Sequence, residues 1–77
     1  MSTFDDLNKI LLDRNVTEKP VALETDLLKD LEMDSLDVMD MVMEIEDRFD
    51  IVIGQGEMTN VQTMTDLVNL VDGKLNP

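Results

Sequence analysis

A chain of 77 residues makes one domain, with a core too small to enclose a deep catalytic cavity. It has no cysteine or histidine, so it lacks disulfides, thiolate and imidazole nucleophiles and the usual zinc ligands. Eighteen acids against six bases give a net charge of −12, the wrong sign for nucleic acid and the right one for basic protein surfaces.

Ser2 and Thr3 are candidate N-caps, with Asp5 and Asp6 three residues on. Phe4, Leu7, Ile10 and Leu11 then form one apolar stripe, which predicts a first helix over roughly 4–14, stopped at Asn15. From Asn15 to Asp34 nothing is periodic for long, and Pro20 excludes a helix through its own position. Twenty structureless residues are uncommon in a compact domain. Val16, Val21, Leu23, Leu27, Leu28 and Leu31 are spread along the segment, which predicts a loop pinned to the core. Thr25-Asp26 would start a single helical turn within it.

Asp34-Ser35-Leu36 opens the most informative run, through Asp50. Apolar residues at Val38, Met41, Val42, Ile45 and Phe49 follow the spacing of a helix with one buried stripe. Asp37, Asp40, Glu44 and Asp47 recur on another face. Asp34 is a good N-cap, with Asp37 three residues on, so Ser35 takes the first helical position. There the orphan backbone N–H groups and the helix dipole both favour an anion such as a phosphate ester. A hydrolase-type serine would need a base, and no histidine is present.

Ile51-Val52-Ile53 has β propensity but is only three residues long, and it reads as a buried loop, broken by Gly54-Gln55-Gly56. Residues 57–61 fit a short third helix. Thr63 caps a last one with Asp66 three residues on, its stripe being Met64, Leu67, Val68, Val71 and Leu75, with Gly73 as the expected C-cap. The sum is all-α. It is a four-helix bundle of three main helices and one short helix, with a long pinned loop between the first two, in a single domain over 1–77. Closed in this way, Val38, Val42 and Ile45 would face Val61, Met64, Leu67 and Val68. With no tryptophan or tyrosine, the interior would be soft enough to part.

Seven acids (Asp34, Asp37, Asp40, Glu44, Glu46, Asp47 and Asp50) lie between Asp34 and Asp50 against the single Arg48, whereas only Glu57, Asp66 and Asp72 follow. A solvated face needs no such asymmetry; a docking face does. Calcium is the other use of dense acids. No frame of the EF-hand pattern fits, because starting at Asp30 leaves Ser35 in the glycine slot and Met41 in the last, so no metal site is expected. Met41 belongs to the core stripe. Met39 and Met43 fall off it, where they suit contact with several partners or the lining of a cleft.

Leu31-Glu32-Met33-Asp34-Ser35-Leu36-Asp37 followed by Glu44-Ile45-Glu46-Asp47-Arg48-Phe49 resembles the acyl carrier proteins, over about Thr3 to Leu75. Two positions depart from that family's usual pattern: Glu32 stands where many members have glycine, and Gly54 where many have proline. The resemblance implies a 4′-phosphopantetheine arm on Ser35 as a phosphodiester, and no catalytic residues. It further implies docking of basic enzyme surfaces on Asp34, Leu36, Asp37, Met39, Asp40, Met43, Glu44 and Asp47. Phosphopantetheinyl transferase and acyl-handling enzymes would be the partners of a monomer. Fatty-acid or related lipid synthesis would be the setting, with a discrete carrier for polyketide or aminoacyl intermediates as the alternative. An acidic helical inhibitor that mimics nucleic acid is a third reading; it would spread the acids over several faces, whereas they cluster around Ser35. With no apolar run of membrane-spanning length and no signal-peptide pattern at Met1-Ser2-Thr3, the expected location is cytoplasmic, without membrane insertion.

Overall fold

The computed structural model describes residues 2–76. Over these the chain forms α1 (Thr3–Asp13), α2 (Ser35–Phe49), α3 (Gln55–Met58) and α4 (Met64–Leu75). The all-α expectation of three main helices and a short one holds. Each main helix begins where its cap chemistry requires. The Ser2 hydroxyl accepts from Asp5 N at 3.1 Å, Asp34 Oδ1 from Asp37 N at 2.9 Å and Thr63 Oγ1 from Asp66 N at 3.3 Å. Each satisfies one of the donors a helix start leaves unpaired. Asp37 and Asp66 also reach back to the cap residue's own N–H, completing capping boxes. Asn15, at φ 60°, turns the chain out of α1 as expected, since asparagine tolerates the left-handed region.

α1 lies between α2 and α4 and packs on both. Leu7, Ile10 and Leu11 from α1, Met41 and Ile45 from α2, and Met64, Leu67 and Val71 from α4 are all essentially inaccessible to solvent. Full burial of a side chain of this kind contributes roughly 1.5–3 kcal/mol. This cluster therefore supplies most of the driving force for closing the bundle.

The long loop is pinned, and by more than apolar contact. Asn8, buried in α1, clasps Val21 through both backbone groups. Farther on, Leu23 O accepts from Thr65 N and Thr25 O from Met64 N, so the loop caps the start of α4. Leu27 N donates to Gln62 O, and an isolated antiparallel bridge pairs Asp26 with Thr63. Asp26 Oδ1 accepts from Leu28 N and Lys29 N, which forms the expected single turn. Val21 and Leu27 are buried, but Leu23 and Leu28 are exposed rather than pinned.

Three details differ from expectation. α3 starts two residues earlier than 57 and ends at Met58, because Glu57 Oε1 accepts from Gly54 N at 2.9 Å and thereby caps the helix at Gly54. Gly73 is an internal helical residue and Asn76 is the C-cap; Lys74, held 2.8 Å from the Glu57 carboxylate, ties the last turn down. In the segment 51–53, Ile53 is buried but Val52 is 77% exposed.

Candidate functional site

Ser35 is exposed at the first position of α2. Asp34 takes the N–H of Asp37 with its side chain and that of Val38 with its carbonyl. Among the described residues, this leaves the Ser35 and Leu36 N–H groups for solvent or an anion. Asp34 and Asp37 are thus engaged as a reciprocal cap, and the hydroxyl is presented without a base. The fit is to a phosphoester: a free hydroxyl with unpaired donors and the positive end of a fifteen-residue helix dipole beside it.

A cleft of about 740 Å³ starts at this hydroxyl. Val38, Met39, Val42 and Met43 of α2 form one wall; Met33, Ile53 and Met58 are among the residues opposite. Val38 and Val42 are half-buried against the core that holds Met64 and Leu67, and they have a second face as well. Both line this opening together with the loop and α3, whereas Ile45 is buried in the core with Met64 and Leu67 of α4. Glu46 also lines the cleft, and its Oε2 accepts from Ile53 N at 2.9 Å, fastening the loop after α2 to that helix. The lining is mostly apolar, as a site for an alkyl chain requires.

Leu36, Met39 and Met43 are 71%, 56% and 60% exposed. Leu36, Asp40, Met43 and Asp47, at helical spacing, share the outward face of α2, with Met39 and Met43 extending it into the cleft. Asp37 and Glu44 lie toward the side of α1, and Glu44 is half-buried. Asp40 and Glu44 are not free: Arg14 Nη2 lies 3.5 Å from Asp40 Oδ2 and Nη1 3.4 Å from Glu44 Oε1. Asn8, Arg14 and Glu46 were not singled out by sequence. Each works through a partner that periodicity does not relate to it, although the carboxylate of Glu46 beside the buried stripe was a usable hint.

Glu32 has φ 53°, the left-handed region that favours glycine. The turn it makes sends Met33 into the core and sets Asp34 at the helix mouth. Gly54, at φ −74° and ψ 153°, has a backbone that proline also adopts. The glycine keeps the N–H that Glu57 accepts.

The model of the phosphopantetheine attachment site family matches residues 10–71. The chain is 34% identical over 73 residues to the acyl carrier protein of Campylobacter lari, covering 94% of this chain and 95% of that one. Against the acyl carrier protein of Campylobacter fetus subsp. fetus the identity is 32% over 74 residues, covering 95% and 96%. Its fold superposes on the crystal structure of acyl carrier protein from Thermotoga maritima with a TM-score of 0.80, at 30% identity, covering 92% of this chain and 84% of that one. The chain belongs to the acyl carrier proteins, which are carriers of 4′-phosphopantetheine and not enzymes.

Proposed function

We propose that Ser35 bears the phosphopantetheine arm, and that the protein carries acyl intermediates of fatty-acid or related lipid synthesis. The observation that carries this reading is the position of Ser35, which is at once the first residue of an uncrowded helix mouth and part of the lining of an apolar cleft. Asp34 and Asp37 orient the first turn, so the Ser35 oxygen stands clear for a phosphodiester bond. With no histidine or cysteine in the chain, the proton on that oxygen must be removed by the attaching enzyme. When bound, the arm supplies a thiol on which an acyl group is held as a thioester, chemistry that a chain without cysteine cannot provide. Val38, Val42, Met33, Ile53 and Met58 then exclude water from an alkyl chain laid between α2 and α3.

The outward face of α2 is the docking surface in this reading. Leu36, Met39 and Met43 provide apolar contact, and Asp34, Asp37, Asp40, Glu44 and Asp47 provide the charge for a basic enzyme surface. The net charge of −12 disfavours self-association and supports a monomer. The test is loading of Ser35 by a phosphopantetheinyl transferase, followed by acylation with chains of graded length. Stabilisation that grows with alkyl length supports a lipid cargo; indifference to length favours a polar polyketide or aminoacyl cargo held in solvent.

A further inference from the structure

We propose that Arg14 tunes partner docking: it holds Asp40 and Glu44 in the free protein, so that a basic partner surface reaches those acids only by displacing it. The inference rests on the docking reading above and assigns a regulating role to a residue outside α2.

Arg14 is the C-cap of α1, and its guanidinium spans two successive turns of α2, with one nitrogen 3.5 Å from Asp40 and another 3.4 Å from Glu44. A planar cation with several donors is suited to sharing between two carboxylates. Arg48 lies on the same seam but turns the other way, to Asp13 at 3.9 Å. Among the described residues, no base lies within ion-pair distance of Asp34, Asp37 or Asp47. The acidic face is therefore divided. Its edge toward α1 is partly neutralised, while the end beside Ser35 and the outward Asp47 keep their full charge.

Stapling of α1 to α2 is the plainer reading of the same contacts. Those side chains are 33%, 57% and 35% exposed for Arg14, Asp40 and Glu44. Ion pairs so open to water contribute little to folding. Leu7, Leu11, Met41 and Ile45 already join the two helices within one buried cluster. A unit of positive charge on the docking face, by contrast, acts directly on the association of a cationic partner. Arg14 sets how strongly a partner is attracted, and steers it toward the Ser35 end.

The test is phosphopantetheine loading from coenzyme A by a phosphopantetheinyl transferase, with kcat and KM measured at low and high ionic strength. For Arg14→Gln, KM should fall about two- to fivefold at low ionic strength with kcat unchanged, and the gain should vanish in high salt. Arg14→Lys should restore a KM close to that of the wild type. Melting temperatures of the variants separate the two roles, since loss of a mere staple would lower stability and leave KM alone. If the wild type loads but Arg14→Gln keeps its KM at both salt concentrations, Arg14 has no such role while the carrier reading stands. If the wild type itself is not loaded, the carrier reading fails, and this inference with it.

Discussion

Asn8 holds Val21 by both backbone groups: its Oδ1 accepts from Val21 N at 2.7 Å, and its Nδ2 donates to Val21 O at 3.2 Å. The amide is the buried polar side chain of α1, and it fixes the long loop where that loop crosses the bundle. Asn8→Leu keeps the branched shape, though not the volume, and orphans both groups of Val21. We predict a loss of about 1–3 kcal/mol, read in urea unfolding. For a domain of this size each kcal/mol corresponds to roughly 4–8 °C in Tm. Unchanged stability would show that the loop is held by its apolar residues alone.

Glu32 supplies the opposite case, a residue that costs stability where it stands. At φ 53° a side chain crowds its own backbone, at about 1–2 kcal/mol for a non-glycine residue. Glu32→Gly removes that cost and adds flexibility to the unfolded chain. The net expectation is a gain of up to about 1 kcal/mol. A destabilised variant would mean that the Glu32 side chain makes a contribution larger than the strain.

The contrast between Asn8 and Glu32 shows what the sequence made legible. Caps at Ser2, Asp34 and Thr63, followed by apolar stripes, located α1, α2 and α4 closely, because each signal lies within four residues of the element it starts. The same locality put Ser35 at a helix mouth. α3 was displaced because a four-residue helix has no period to read, and its cap is a Glu57 carboxylate acting on a glycine N–H. Asn8 with Val21, and Arg14 with Asp40 and Glu44, are pairings across 13 to 30 residues. Only the folded chain brings them together. The cleft was half legible: Met39 and Met43 were visible as residues off the stripe, but its far wall comes from Met33, Ile53 and Met58, which belong to no common periodicity.

Acid should loosen the junction between the loop, α3 and α4. Hydrogen bonds from Thr63 and Gln62 N–H hold the Asp66 carboxyl below the ordinary range. The N–H of Lys29 and the Gln62 amide do the same for Asp26. Lys74 and the Gly54 N–H lower Glu57. A carboxyl depressed by folding adds stability that is complete above its unfolded pKa and is lost as pH falls through the folded one. The window is therefore below about pH 4. Asp66→Asn should be less stable than the wild type near neutral pH, and the gap should narrow as pH falls from about 4 toward 2. A gap constant across that range would show that Asp66 contributes no charged cap.

Chain length of the cargo provides a further check on the cleft. Each buried CH₂ contributes up to roughly 0.8 kcal/mol, and a group that enters only the folded state raises its stability. The Tm of the acylated protein should climb from the acetyl to the medium-chain thioester. Val42→Asp, on the cleft wall, should flatten that climb. A Tm that ignores chain length would place the alkyl group in solvent.

Ser35 is the proposed attachment point. Intact-protein mass after incubation with coenzyme A, magnesium and a phosphopantetheinyl transferase tests it most directly. The wild type should gain one phosphopantetheine and Ser35→Ala none, with both proteins folded by circular dichroism. A wild-type mass left unchanged by transferases of broad and narrow specificity, or a full gain of mass on Ser35→Ala, would contradict it.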